Sequence, residues 1–200
     1  MLNLNELKHK YFVMRHGHSV PNETGLIVSE LDDGIKAEYG LTTKGQVQAK
    51  LAAELFILQN KNPINDTIII HSPFSRAKQT AEILATEIGG KIFAKDDNLR
   101  ERFFGDYELT SDKNYQLIWE QDRLNPDSTF VNSESPNAVQ ARMLKVIAAC
   151  EKLDEEYGQM IILVGHADSI HILETAFRNI DVQNHRDIPY IRNAEIHALN

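Results

Sequence analysis

Three short apolar segments, each free of charged residues, constrain what this chain can fold into. They comprise residues 11–14, 67–70 and 160–164, and β-branched or aromatic side chains fill most of each segment. Runs of this length and composition indicate strands that are buried on both faces of a sheet. Longer segments with helical spacing follow them, and strands that alternate with helices predict an α/β sandwich with a mostly parallel sheet.

The segment after the first strand, residues 21–42, has no regular apolar period and contains several turn-forming residues. A stretch of this length inside a compact domain is usually functional, so we expect it to form one wall of a site. Thr43 and Gln46 then form a capping-box pair, which predicts the start of a helix. Pro63 should break this helix, whose apolar stripe consists of Val47, Leu51, Leu55 and Leu58.

Two serine-proline pairs mark further helix starts, because serine caps a helix and proline suits its first turn. Ser72-Pro73 precedes an apolar stripe that stops at Gly89-Gly90, and Ser135-Pro136 precedes one that stops at Gly158. The remaining predicted elements are brief strands at Lys91–Ala94 and Ala194–Leu199, the second at a sheet edge, and helices at Lys113–Asn125 and after His166.

A histidine or an arginine stands where each predicted strand gives way to a helix. These residues are His16, Arg76 and His166, and we expect them on one rim because open α/β sheets gather their ligands at the carboxyl ends of strands. Each has a simpler explanation alone, as a surface turn, a solvated arginine or a core histidine. In a chain of formal net charge −8, their joint placement indicates a local site for a tetrahedral dianion such as phosphate.

A nucleophile and a proton donor distinguish phosphate transfer from phosphate binding. His16 is the candidate nucleophile, since a neutral imidazole can attack phosphorus and a hydrogen bond to a backbone carbonyl would keep one ring nitrogen available. Glu101 is the candidate acid, and such a carboxyl contributes roughly 10²–10⁴-fold to rate. We expect a bound phosphate dianion to raise the pKa of Glu101 by like-charge repulsion.

Four segments resemble, in order, the motifs of the histidine phosphatase superfamily, also called phosphoglycerate mutase-like. They are Arg15-His16-Gly17 with Ser19 and Asn22, residues 72–81, residues 99–108, and Val164-Gly165-His166. The resemblance implies a three-layer α/β/α fold, a phosphohistidine at His16, and no metal or other cofactor. It also implies that Glu101 is acid and base and that Arg15, Arg76, His166 and Asn22 bind the phosphoryl oxygens. Ser19 and Ser72, which lie in the same motifs, are further candidates for substrate binding.

The segment after Glu101 favours hydrolysis over transfer to a second substrate. Residues 103–108 are similar to the phosphatase branch of the family, without the basic insertion that mutases carry. Ser133-Glu134-Ser135 stands where phosphatases often have Gly-Glu-Ser, while His18 replaces an acidic residue that many relatives carry. We therefore expect a metal-independent phosphomonoester hydrolase.

Three other functions stay open at this point. One is a cofactor-dependent phosphoglycerate mutase-type phosphotransferase, and another is a non-catalytic module that binds a phosphorylated ligand. The third is a metal hydrolase that uses His166, Asp168 and His171, although their spacing matches no recognised zinc pattern.

Composition limits the partners and the cellular setting. A net charge of −8 argues against a surface for nucleic acid or an anionic membrane. Residues 1–8 lack the apolar core of a secretory signal, and the single cysteine, Cys150, falls on the apolar stripe of a predicted helix. We expect one domain over residues 1–200 in the cytoplasm, with a small phosphorylated substrate and an oligomeric state that the sequence leaves open.

Substrate choice should come from residues outside the phosphate pocket. The candidate segments are residues 21–42, Lys113–Asn132 and His185–Arg192. Within the last segment, Arg186, Tyr190 and Arg192 could reach a second anionic group, but we interpret them as solvated surface.

Overall fold

The computed structural model describes residues 2–60, 66–154 and 160–200. The predicted helix breakers Pro63 and Gly158 lie outside these ranges. The elements, in chain order, are β1 (Lys10–Arg15), α1 (Val20–Thr24), α2 (Leu31–Gly34), α3 (Thr43–Gln59), β2 (Ile68–His71), α4 (Ser75–Ile88), β3 (Lys91–Lys95), α5 (Tyr115–Leu124), α6 (Pro136–Cys150), β4 (Met160–Gly165), α7 (Ala167–Arg178) and β5 (Ile196–Ala198). Short 3₁₀ turns join several of them.

The described strands form one sheet in the order β3-β2-β4-β1-β5. β1, β2, β3 and β4 are parallel, and β5 pairs antiparallel with β1 at the edge. Alternate side chains of the central strands enter two cores: Ile161 and Leu163 pack with α6 and α7, whereas Ile162 and Val164 pack with α3 and α4. The expected three-layer α/β/α sandwich with a mostly parallel sheet and a last edge strand is therefore confirmed.

The register of the central strands brings their carboxyl ends to the same level. Arg15 pairs with Gly165 across β1 and β4, and His71 pairs with Val164 across β2 and β4. The backbone N–H of His16 then donates to Gly165 O at 3.0 Å, and that of Ser72 donates to Val164 O at 2.9 Å. The residues that follow the three strands consequently start from one rim, with β4 in the middle.

Several predicted helix starts are displaced. The side chain of Thr42, and not Thr43, accepts a hydrogen bond from Gly45 N and caps α3. α4 begins at Ser75, because Ser72 instead accepts from Phe74 N at 3.2 Å in the turn before the helix. Ser135 does cap α6 as predicted. The stretch 21–42, expected to be irregular, contains the short helices α1 and α2.

The apolar stripe that indicated α3 lies on its exposed side. Val47, Leu51, Leu55 and Leu58 are all at least half exposed. The buried side consists of Gly45, Ala49, Ala53 and Phe56, and Ala53 and Phe56 share a core with Ala77 and Ala81 of α4. Small residues let the two helix backbones approach closely, so the alanine face is buried and the leucine face is left outside.

Two neighbouring positions on α3 test this orientation. Replacement of Phe56, which is 3% exposed and packs edge-on against Phe12, by alanine should cost about 3–5 kcal/mol of unfolding free energy. Leu55→Ala, at 57% exposure, should cost less than about 1 kcal/mol. Denaturant unfolding of both variants measures the difference, and equal losses would contradict the helix orientation described here.

Among the described residues, no helix combines the length and the apolar character that crossing a membrane requires.

Candidate active site

A cavity of about 180 Å³ opens at the rim formed by β1, β2 and β4. Five of the eight residues predicted for the site line it: Arg15, His16, Asn22, Arg76 and Glu101. Pro21, Leu26 and Val28 add a wall from the stretch that was expected to provide one, and Phe104, Tyr115, Trp119 and Tyr190 supply aromatic surface. The other three predicted residues, Ser19, Ser72 and His166, are fully buried directly behind the lining.

The imidazole of His16 is oriented by the chain around it. Its Nδ1 lies 2.7 Å from Gly17 O, and because a carbonyl can only accept, Nδ1 carries the hydrogen. In the neutral ring Nε2 then carries no hydrogen, and its lone pair accepts a hydrogen bond from Arg76 Nε at 3.2 Å. Burial, together with the nearby Arg76 and Arg15, holds the pKa of His16 well below its ordinary value. The ring therefore favours its neutral form, and its unprotonated Nε2 faces Arg76, which lines the cavity with it.

Glycine is required after His16 because two backbones meet there. A Cβ on Gly17 would lie 2.4 Å from Gly45 O at the start of α3. No side chain fits at that distance, so only glycine lets the segment turn beneath the helix. The N–H of Gly17 donates to Thr80 Oγ1 at 3.1 Å, which ties the same turn to α4.

Two buried guanidinium groups face the cavity without a carboxylate within salt-bridge distance among the described residues. Arg15 donates to the Ile191 carbonyl at 3.1 Å and to the Tyr190 hydroxyl. Arg76 donates to Val28 O at 2.8 Å. In the described part of the chain, Arg15 Nε and Arg76 Nη1 are buried and have no hydrogen-bond partner. Buried cations of this kind favour an anionic ligand, since leaving them unpaired is costly.

Ser72 and Ser19 each form a hydrogen bond with another predicted site residue, Ser72 with His166 and Ser19 with Asn22. Ser72 Oγ lies 2.8 Å from His166 Nε2, while His166 Nδ1 is buried and unpartnered among the described residues. Ser19 donates from its backbone N–H and its hydroxyl to Asn22 Oδ1, at 3.2 and 3.0 Å. Neither serine lines the cavity. Their contacts are those of residues that fix the orientation of a neighbour.

Glu101 presents one carboxylate oxygen to the protein and the other to the cavity. Oε1 accepts from Arg102 N at 2.9 Å and from Ser169 Oγ at 3.1 Å. Oε2 accepts no hydrogen bond from the described residues and is not buried. Burial raises the pKa of Glu101, with a further contribution from the carboxylate of Asp168. Burial and Asp168 therefore make Glu101 hold its proton more tightly than an exposed glutamate does, even before any phosphate is bound.

A buried ionic network behind Glu101 was not predicted. Arg102, fully buried, makes a two-pronged ion pair with Asp122 at 2.5 and 2.7 Å and donates to Asp168 Oδ2 at 3.2 Å. Trp119 Nε1 donates to Asp168 Oδ1 at 3.0 Å. The sequence offered one indication of this network: Arg102 directly follows Glu101, and Asp168 comes two residues after His166.

The solvated-surface interpretation is wrong for Arg186, which lines the cavity and is partly buried, whereas Tyr190 is 55% exposed although it also lines the cavity. The Arg186 guanidinium lies 3.8 Å above the Trp119 ring, and the Tyr190 ring lies beside Arg15. Arg192 does extend into solvent, where it pairs with Glu195 at 3.3 Å.

The three residues considered for a metal do not form a donor set. His171 Nε2 lies 3.1 Å from Ile191 N and its Nδ1 lies 3.1 Å from Arg186, so both ring nitrogens face other protein groups. Asp168 accepts a hydrogen bond from the buried Arg102 guanidinium. Across the described ranges, no group of three or more histidine, cysteine or acidic side chains could hold a metal ion.

A larger groove, about 820 Å³, runs between α3 and β5. Leu51, Leu55, Ile196 and amide side chains line it, and its charged members among the described residues are Arg192 and Glu195, which pair with each other. It offers no imidazole from the described chain, and the carboxylate in its described lining, Glu195, is paired with Arg192. The smaller cavity is therefore the candidate active site.

Known proteins that resemble this chain in sequence or in structure include phosphatases and a phosphoglycerate mutase by name. Residues 11–200 match the model of the histidine phosphatase superfamily (branch 1). A protein of Hydrogenobacter thermophilus with the name "putative phosphoserine phosphatase 2" is 27% identical over 88% of this chain and 81% of its own length. A protein of Klebsiella pneumoniae named as a probable phosphoglycerate mutase is 27% identical over 94% and 83%. The structure of a mycobacterial glucosyl-3-phosphoglycerate phosphatase with VO3 superposes with a TM-score of 0.74, at 25% identity, over 94% of this chain and 90% of that one.

Proposed function

Because the chain belongs to the histidine phosphatase superfamily (branch 1), we propose that it hydrolyses phosphomonoesters through a phosphohistidine formed on His16. One observation carries the proposal: the lone pair on Nε2 of a neutral, buried imidazole faces a cavity with two arginines that pair with no carboxylate of the described chain. The arginines attract the phosphoryl group, and the imidazole can attack it.

The phosphoryl oxygens would be held by donors that have no other partner among the described residues. Arg15 Nε, Arg76 Nη1 and His166 Nδ1 are such donors. The Ser72 hydroxyl can donate to His166 Nε2, and in that tautomer Nδ1–H is free to donate to phosphate. Asn22 contributes its amide NH₂, since its oxygen already accepts from Ser19 and Asn193. A dianion would thus be matched by two cations and two neutral donors.

The first step makes a phosphoenzyme. His16 Nε2 exchanges its contact with Arg76 for the phosphorus atom, the N–P bond forms, and the bond from phosphorus to the alcohol oxygen breaks. Glu101 Oε2 protonates the departing oxygen, which would otherwise leave as a poorly stabilised alkoxide. The second step uses the resulting Glu101 carboxylate to take a proton from water, which attacks phosphorus and releases His16.

Hydrolysis is favoured over mutase-type transfer by what surrounds the leaving group. The cavity wall beyond Glu101 consists of Phe104, Tyr115 and Trp119 with the acidic Asp112. Arg186, the cation on this side of the described lining, already lies 3.5 Å from Asp168. A mutase must hold an anionic product for return transfer, and this wall offers little unpaired positive charge for that purpose.

A release assay over a panel of phosphomonoesters tests the reaction and its substrate class together. We expect phosphate release that EDTA does not reduce, and isomerisation of 3-phosphoglycerate with its bisphosphate primer to be slower than phosphate release. Faster isomerisation would make the protein a mutase. The absence of turnover on every phosphomonoester, with retained phosphate binding, would make it a binding module.

A further inference from the structure

Two carboxylates that stand 67 positions apart in the chain, Glu101 and Asp168, line the same cavity, where the charge of Asp168 acts on Glu101. Both are buried, at 8% and 3% exposure. Like charges this close do not ionise independently, so one of the two should keep its proton. Which one keeps it decides whether the site contains an acid.

The residue that follows each carboxylate in sequence binds the other carboxylate. Arg102, next to Glu101, donates through its guanidinium to Asp168 Oδ2 at 3.2 Å. Ser169, next to Asp168, donates through its hydroxyl and backbone N–H to Glu101 Oε1, at 3.1 and 3.4 Å. This reciprocal arrangement fixes the two side chains relative to each other and prevents either from turning away.

Their surroundings are unequal. Asp168 receives Arg102 and Trp119 Nε1, with Arg186 at 3.5 Å and His185 Nε2 at 3.6 Å. Although burial raises the pKa of Asp168, these partners lower it far more strongly, so Asp168 stays ionised. Glu101 receives only neutral donors on one oxygen, and the charged or titratable groups that face it are Asp168 from α7, Arg76 from α4 and Tyr115 from α5, with Arg142 from α6 on its backbone carbonyl.

We propose that Asp168 is a positioning residue whose fixed negative charge keeps the transferable proton on Glu101. The inference rests on the proposed function, because it gives Glu101 the role of acid. It adds that the protonation of Glu101 depends on Asp168 and on the cations bound to Asp168, and not on Glu101 and the substrate alone. Pairs of carboxyl groups whose environments separate their protonation states are a general way of making one of them an acid near neutral pH.

Asp168→Asn tests this through the pH dependence of kcat/KM for an alkyl phosphate. Loss of the negative charge, and release of Arg102 and Arg186 from it, both favour ionised Glu101. The alkaline limb, where the acid form is lost, should therefore move to lower pH by about one unit. On p-nitrophenyl phosphate, whose leaving group needs no acid, the limb should not follow this shift.

Asp122→Asn is the matched control, since Asp122 belongs to the same buried network but does not line the cavity. Its alkaline limb should move much less than that of Asp168→Asn, because Arg102 keeps Asp168 as its partner, and thermal unfolding of both variants separates loss of folding from a change in the pKa of Glu101. In a Glu101→Gln background, Asp168→Asn should produce no further change in the pH dependence of kcat/KM for the alkyl phosphate. An unmoved limb in folded Asp168→Asn with intact phosphohistidine labelling would overturn this inference alone, whereas absence of labelling in the unmodified protein would overturn the proposed function.

Discussion

Replacement of His16 by alanine is expected to lower phosphatase turnover by roughly 10⁴-fold or more, because His16 supplies the one imidazole in the cavity lining formed by the described residues. Brief incubation of the unmodified protein with a ³²P-labelled substrate should give a protein-bound label that is lost in acid and retained in alkali. The variant should carry none of it. The cavity should persist, since alanine keeps the backbone hydrogen bonds of His16 and loses the imidazole contacts with Gly17 O, with Arg76 Nε and with the His166 ring at a ring distance of 5.1 Å.

His71 provides a control with the same local geometry. It ends β2 as His16 follows β1, it is buried, and its Nδ1 lies 2.7 Å from the carbonyl of the next residue, Ser72. It does not line the cavity. His71→Ala should therefore keep the label. Label that persists in His16→Ala would show that a different residue is the nucleophile, and the proposed first step would be wrong.

Glu101→Gln should reduce kcat/KM by about 10²–10⁴-fold for alkyl phosphates and by less than about 10-fold for p-nitrophenyl phosphate. The difference arises because glutamine keeps the shape and the contact with Ser169 but has no proton to give to a poor leaving group. kcat/KM reports the steps up to phosphoenzyme formation, so it isolates the acid role from the later base role.

The pH profile gives a second measure of the same group. Burial and Asp168 raise the pKa of Glu101, so its acid form survives to higher pH than in an exposed glutamate, and kcat/KM for alkyl phosphates should fall as pH rises through that value. Glu101→Gln should remove this limb. Glu108→Gln is the control, because Glu108 accepts from Ser29 and does not line the cavity. If Glu101→Gln lowered kcat/KM equally for alkyl phosphates and p-nitrophenyl phosphate, a residue other than Glu101 would be the acid.

The sequence was sufficient for the strands and for the rim. Short apolar runs identify buried strands because burial on both faces favours apolar side chains at successive positions. Parallel strands then place the residues that follow them at one edge, which is why His16, Arg76 and His166 could be brought together without coordinates. Arg15 and Asn22 followed from the resemblance of their motif, and both line the cavity.

The sequence was insufficient for the orientation of α3. Leucines at helical spacing indicated the helix correctly, but Leu51 and Leu55 are exposed. The buried side was decided by Ala49 and Ala53, whose small size permits close approach of α4. Hydrophobicity along one chain does not contain that information, since it depends on which helix lies opposite.

The amino-acid order by itself determined the strands, the long helices, the parallel sheet and the imidazoles and cations at its carboxyl edge, because these depend on local periodicity and on one topological rule. Only the tertiary structure decided the protonation and orientation of the groups that react. The hydrogen bond of Arg76 to His16 and the proximity of Asp168 to Glu101 join residues about 60 or more positions apart. Burial strengthens such electrostatic contacts, and burial exists only once the chain has folded.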